Sequence, residues 1–151
     1  MRAYRQVVSN KGSAGVDGMT VKELYKYLTN NRERIETELR QGKYLPQAIL
    51  GVEIPKSNGK TRLLGIPTVA DRLLQQAVAQ VIAIKFEVEF ENFSYGFRPN
   101  RNAQQAVLKA QEYINSGYQH IVDIDLKNFF DEVDHCILLQ ILYRKVVLLQ
   151  I

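Results

Sequence analysis

A chain of 151 residues is long enough for one domain, or for one and the start of another, and can bury a sizeable core. Its 46% apolar and 24% charged residues are the balance of an ordinary soluble globular chain; no apolar run reaches the roughly 20 residues of a membrane span, and Met1–Arg5 does not lead into a signal-peptide core. The single cysteine, Cys136, excludes an internal disulfide framework and a cysteine-rich zinc site, and a reducing, cytoplasmic setting fits best. The net charge of +4 divides unevenly: residues 1–62 carry 12 basic and 6 acidic side chains, residues 63–151 carry 8 and 10. The first part suits an anionic partner, and the second holds carboxylates that suit a cation. On charge alone, an unevenly charged solvated surface is the plainer reading.

Residues 1–8 read as the last turns of a helix, followed by a loop, Asn10 to Gly18, that contains three glycines. Thr20 stands three residues before Glu23, the spacing of a capping box, and Leu24, Tyr27, Leu28, Ile35 and Leu39 follow near helical period up to Gly42. Ala48–Ile54 and Thr61–Ile66 read as two strands of a hairpin around an Asn58-Gly59 turn. Pro67 ends the second strand, and Thr68 caps a helix running to about Phe86. Asn102 caps another, stopped by Ser116-Gly117. His120–Leu126 reads as a short strand and His135–Leu149 as a last, buried helix, so the order of elements predicts an α+β fold.

Four places could carry chemistry. In the strand Ile121–Leu126, alternation puts Asp123 and Asp125 on one face, where a divalent cation would offset their charge. An Asp-x-Asp pair alone is more often a strand end whose aspartates cap a turn. Lys56, Lys60 and Arg62 at the hairpin tip suit a polyphosphate or a nucleic-acid backbone, or simply keep the hairpin soluble. Tyr95-Gly96-Phe97-Arg98-Pro99, with Arg101 nearby, interleaves aromatic and basic groups in the manner of base-stacking loops, or plugs a core. Phe129-Phe130-Asp131 sets an aromatic wall beside the carboxylate strand, where adjacent aromatics otherwise mean core. His120 and His135 are too isolated for metal ligands, and Cys136 reads as a packed helix residue.

Taken in order, the pieces form a pattern. Asn10-Lys11-Gly12 and Ala14-Gly15-Val16-Asp17-Gly18 precede Ile54-Pro55-Lys56, Gly59-Lys60-Thr61-Arg62 and Gly65-Ile66-Pro67-Thr68 with Asp71-Arg72 and Gln75. Tyr95–Pro99 follows, and then Asp123-Ile124-Asp125-Leu126-Lys127 with Phe130-Asp131 and Asp134-His135. From about Tyr4 to about Leu142, this resembles the reverse transcriptases encoded by bacterial group II introns, also called intron maturases. The resemblance implies an α+β right-hand polymerase fold: a partial reverse transcriptase domain over residues 1–151, with fingers to about residue 100 and the start of the palm from about 101. Asp125 falls on the first catalytic aspartate and metal ligand of that family, and Leu126 on the residue whose carbonyl helps hold the metal beside the incoming nucleotide. Phe130 falls on the aromatic under the incoming sugar that excludes a 2′-hydroxyl, and Lys56 and Arg62 on the fingers residues that clamp the triphosphate. Lys60, Arg98 and Lys11, the last within the loop that forms a lid in such proteins, are implied to face template or nucleic acid. The implied cofactor is Mg²⁺, two ions in the complete enzyme, and the implied partners are template or intron RNA, a DNA primer and a deoxynucleoside triphosphate.

The family completes its metal site with a Tyr-x-Asp-Asp motif, and no adjacent aspartate pair occurs here. The chain therefore reads as a fragment, without the rest of the palm, the thumb and the maturase segment, and is expected to be inactive alone. Two other readings remain open: an RNA-binding module that assists splicing without polymerising, and a retron or diversity-generating reverse transcriptase. A half-built palm would leave apolar surface exposed, which leaves a homodimer open as well.

Overall fold

The computed structural model describes residues 1–57 and 59–148; Asn58 of the expected turn and Leu149 at the expected helix end lie outside the described residues. The elements are α1 (Arg2–Ser9), α2 (Leu24–Arg40), β1 (Leu50–Pro55), β2 (Thr61–Ile66), α3 (Val69–Phe86) continuing into a 3₁₀ turn (Glu87–Glu89), α4 (Ala103–Asn115), α5 (Phe129–Glu132) and α6 (His135–Leu148). This is the α+β mixture that the order of elements predicts. The chain divides into two compact units, Met1–Asn100 and Arg101–Ile151.

In the first unit, α1 packs on α3, and Val7, Leu24 and Val69 form the centre of a small core covered by Tyr4, Val8, Met19, Val21, Leu28 and Leu73. The helix ends follow local chemistry. Glu23 accepts from both the backbone N–H (2.8 Å) and the hydroxyl (2.7 Å) of Thr20, so the expected Thr20–Glu23 pairing forms, but one turn before α2 begins at Leu24. Gly42, at φ +65°, closes α2: its N–H donates to Leu39 O at 3.1 Å, and that of Lys43 to Glu38 O at 2.8 Å. β1 and β2 pair antiparallel, with Ile54 opposite Arg62 and Pro55 opposite Thr61. Lys56 N–H donates to Lys60 O at 2.6 Å, and Gly59 supplies the positive φ of +77° that the turn requires.

The N-terminus of α3 is the best-buried polar spot of this unit. Thr68 caps the helix by accepting from Asp71 N at 3.2 Å, and the two side chains, both buried, share a second bond from the Thr68 hydroxyl to Asp71 Oδ2 at 2.7 Å. The Asp71 carboxylate also accepts from the Tyr44 hydroxyl at 2.7 Å and from Gln47 N–H at 3.1 Å. Gly15 lies against the same turn. A Cβ on it would come within 2.7 Å of Thr68 Cα, so no other residue fits there without moving backbone.

In the second unit, Asn102 and Gln105 form a complete capping box at the start of α4. Gly117 (φ +96°) ends the helix, and the rings of Tyr113 and Tyr118 meet edge to face at 5.8 Å across its last turn. Asp134 caps α6 by accepting from Cys136 N at 2.8 Å and Ile137 N at 3.0 Å. Two expectations fail here. His120–Leu126 forms no strand, and Ile121, Val122, Ile124 and Leu126 are largely exposed. The residues of α6 are not buried either: Ile137, Leu139, Ile141 and Tyr143 are at least half exposed, and Cys136 is exposed rather than packed. A strand exists only against a hydrogen-bonding partner, and none of the described residues pairs with this segment. No helix of the described residues is long and apolar enough to cross a membrane.

Burial, and then the bond to Asp71, push ionisation of the Tyr44 phenol above its ordinary value of 10.0. A group that holds its proton more tightly when folded stabilises fully below its unfolded pKa and less as pH rises past it. The stability gap between the parent chain and Tyr44→Phe, measured by urea unfolding, should be constant up to about pH 9 and shrink as pH climbs through 10 and 11.

Candidate functional site

Lys56, Lys60 and Arg62 sit where strand geometry puts them. Lys56 follows the last residue of β1, Lys60 precedes β2, and Arg62 occupies the second position of β2. Side chains alternate along a strand, so Arg62 shares a face with Leu64 and, across the pair, with Ile54. That face places Arg62 in register with apolar neighbours, while Lys56 and Lys60 flank the turn as exposed cations. The structure therefore brings these three residues together on one hairpin tip.

Lys11 opens the glycine loop in the left-handed region (φ +48°), and its side chain is exposed. The loop behind it is held by Arg72, whose guanidinium donates to the Ser13 carbonyl and lies over Gly12, where any Cβ would strike it at 2.6 Å. Val7, Asn10, Gly12, Arg72, Gln75, Gln76 and Ala79 line a cleft of about 280 Å³ there, and the Arg72 Nε–H is buried without a partner.

Arg98 is a different kind of arginine. Its side chain is only 6% exposed. Nε and Nη2 donate to Glu87 Oε1 at 3.1 and 2.8 Å, while Nη1 donates to the carbonyls of Glu91 (2.7 Å) and Ser94 (3.0 Å). The guanidinium also lies 5.1 Å from the centre of the Phe90 ring. This guanidinium ties its own loop together, and the neighbouring Phe97 takes φ +55° with its ring fully exposed.

Asp125, Leu126 and Phe130 belong to the second unit. Asn128 takes a left-handed conformation (φ +52°) and starts the four-residue helix α5, its carbonyl accepting from Asp131 N at 3.0 Å and Glu132 N at 3.1 Å. That reversal folds the chain so that Asp125, Leu126, Asn128, Phe130 and Asp131 line one open concavity of about 510 Å³. Phe130 is 88% exposed and touches Phe129 edge to face at 5.4 Å, so its ring is a wall and not a core plug. Among the described residues, no three His, Cys, Asp or Glu side chains group closely enough to form a metal cage. Mg²⁺ is commonly held by one or two carboxylates together with substrate phosphates, and Asp125 with the neighbouring Leu126 carbonyl is a hard-oxygen donor set of that kind.

A family described as reverse transcriptase (RNA-dependent DNA polymerase) matches residues 54–148, from the hairpin through the concavity. The chain belongs to the reverse transcriptase family. It is 35% identical over 150 residues to protein YkfC of Escherichia coli K12, covering 95% of this chain and 39% of that protein. It is equally 35% identical over 145 residues to the group II intron-encoded protein LtrA of Lactococcus lactis, covering 95% of this chain and 24% of the relative. A putative COX1/OXI3 intron 2 protein of Saccharomyces cerevisiae is 27% identical over 147 residues, covering 95% of this chain and 17% of the relative. The expected resemblance to intron-encoded reverse transcriptases is thereby met, and the chain spans well under half the length of these relatives.

Three functionally placed features escaped the sequence: the part that Asp71, a member of the motif pattern, plays as a shared acceptor, the Glu87 partner of Arg98 and the left-handed turn at Asn128. The Thr68-x-x-Asp71 spacing was the available signal for the first; the other two depend on interactions or conformations that no motif encodes.

The Arg98 cluster makes a stability prediction. Arg98→Ala strips the Glu87 carboxylate of its cation and takes a donor from the loop carbonyls, of which Glu91 O keeps only the Ser94 N–H, and should cost about 2–4 kcal/mol in urea unfolding of the chain. Arg98→Lys should recover less than half of that, because one ammonium cannot serve both directions of the fork.

Proposed function

We propose that this reverse transcriptase chain forms the fingers (about residues 1–100) and the start of the palm (about 101–151) of a group II intron-encoded RNA-directed DNA polymerase. The observation that carries the reading is the concavity of the second unit, lined by Asp125, Leu126 and the exposed Phe130 within the segment matched by the family. Asp125 acts as the first catalytic aspartate. Asp125 and the Leu126 carbonyl would hold Mg²⁺, two ions being needed in the complete site, and the bound metal would stabilise charge on the transferring phosphoryl group. Phe130 lies beneath the sugar and excludes a 2′-hydroxyl by its bulk. Lys56 and Arg62 bind the triphosphate of the incoming deoxynucleotide, offsetting its negative charge and orienting it toward a primer 3′-hydroxyl. Lys60 and Lys11 meet the RNA template, and Arg98 contributes by shaping the loop that carries Phe97. The intron-encoded relatives support the choice of a group II intron protein over a retron or diversity-generating enzyme. The sequence holds no adjacent aspartate pair to complete such a site, and the chain is proposed to be inactive alone.

The test is a chimera in which this chain replaces the matching segment of the Lactococcus lactis relative, with the isolated chain as the inactive control. Asp125→Asn should slow primer extension at least about 100-fold, a loss of roughly 3 kcal/mol of transition-state stabilisation, with RNA affinity unchanged. Asp123→Asn should cost far less. Phe130→Val should raise ribonucleotide incorporation relative to deoxynucleotide with the melting temperature unchanged, as expected for an exposed ring. Near-parental extension by Asp125→Asn would refute the assignment of the catalytic aspartate.

The excess of basic groups in residues 1–62 supports RNA binding that does not depend on Asp125, and through it the second reading of a splicing-assistance module. Affinity of the chain for single-stranded RNA should fall log-linearly with salt. Neutralising Lys56, Lys60 and Arg62 together should flatten the slope by about 0.7 for each phosphate these side chains had engaged. An unchanged slope would take the hairpin out of the RNA interface and leave it to the nucleotide alone.

A further inference from the structure

We infer that Asp71 is a positioning residue for the nucleotide clamp: its buried carboxylate ties both roots of the β1–β2 hairpin to the first turn of α3 and so sets where Lys56 and Arg62 stand. The inference rests on the assignment of Lys56 and Arg62 to the triphosphate.

The hairpin needs such an anchor. Most of its residues are exposed, and among the described elements the two strands pack extensively on each other and on no helix. A lone two-stranded hairpin is marginal in water, so its direction in space is decided at its roots. The entry root is Tyr44–Gln47, just before β1, and the exit root is Thr68, just after β2. Both converge on one group that is only 3% exposed. Asp71 Oδ1 accepts from the Tyr44 hydroxyl at 2.7 Å, and Oδ2 accepts from Gln47 N–H at 3.1 Å and the Thr68 hydroxyl at 2.7 Å. Each is a bond to an anion at a helix N-terminus, where the charge is favoured.

Leverage makes the anchor matter. Six strand residues at about 3.3 Å each put the tip roughly 20 Å from its roots, so a swing of about 10° moves the cations by about 3 Å. Misplacement of even about 1 Å at a reacting centre can cost about 100-fold in rate.

The chemistry also ranks the variants. In Asp71→Asn the amide oxygen can still accept from Gln47 N–H and Thr68, while its NH₂ faces a Tyr44 hydroxyl able to reverse and accept. Asp71→Ala removes all three bonds to the carboxylate and leaves only the backbone N–H at position 71 on Thr68, Tyr44→Phe removes one, and Gln47→Pro removes the backbone donor of residue 47.

The experiment places spin labels at Ser57→Cys on the hairpin tip and Ala77→Cys on the exposed side of α3, in the full 151-residue chain carrying Cys136→Ser. Distances are read by double electron–electron resonance. The parent and Asp71→Asn should give one narrow distribution, and Asp71→Ala, Tyr44→Phe and Gln47→Pro should broaden it. If Asp71→Ala does not fold, Tyr44→Phe and Gln47→Pro carry the test, with melting temperature monitored beside the distance. In the chimera, Tyr44→Phe should raise the KM for deoxynucleotide about tenfold or more with kcat less affected, and should blunt the effect of Lys56→Ala. A distribution that stays narrow in folded variants lacking these bonds overturns the anchor. Broadening with an unchanged KM supports the anchor and overturns the assignment of the hairpin to the nucleotide.

Discussion

The buried carboxylate of Asp71, at the third position of α3, is the interaction on which the first unit depends. A charge so well hidden is tolerable only because Tyr44, Gln47 and Thr68 all donate to it and a helix N-terminus lies behind it. Around this one turn gather the entry and exit of the hairpin and the glycine loop, the last pressed so close that Gly15 meets the Thr68 backbone. The adjacent residue, Arg72, holds the Ser13 carbonyl from the neighbouring helical position. Two consecutive side chains thus fasten the hairpin and the glycine loop to the same helix, and small exposed elements acquire definite positions without a large core of their own.

Arg98 works by the same means. A planar fork joins Glu87, in the 3₁₀ turn after α3, to two loop carbonyls and lies on Phe90, which closes the loop over residues 90–98. As a motif it resembles a nucleic-acid contact, because arginine and aromatics alternate in it. In the fold the arginine turns inward and an aromatic, Phe97, turns outward, so the arginine of the alternation builds the loop that presents the ring.

The second unit obeys a different constraint. Its helices are properly capped, by the Asn102–Gln105 box and by Asp134, yet their apolar side chains remain widely exposed. Caps are local, whereas burial requires a surface to bury against. The run Ile121–Leu126 has strand alternation in its sequence without a strand partner among the described residues, and the concavity beside it is shaped by Asn128 and α5.

What the sequence determined by itself was everything governed by near neighbours. Helix limits followed from Thr68, Asn102, Gly42 and Gly117, the hairpin from its β-type runs and turn glycine, and membership of the reverse transcriptase family from motifs kept in order. Each depends on interactions spanning a handful of residues or on spacing along the chain. The tertiary structure decided which polar groups face inward. Nothing near Asp71 in sequence announces Tyr44, 27 residues away, as its donor, and Ser13 lies 59 residues from the arginine that holds it. Exposure escaped the periodicity, in which the apolar residues of His120–Leu126 and α6 read as core, because periodicity records which face is apolar and not whether anything covers it; only the resemblance to a larger palm led to an expectation of apolar surface left uncovered.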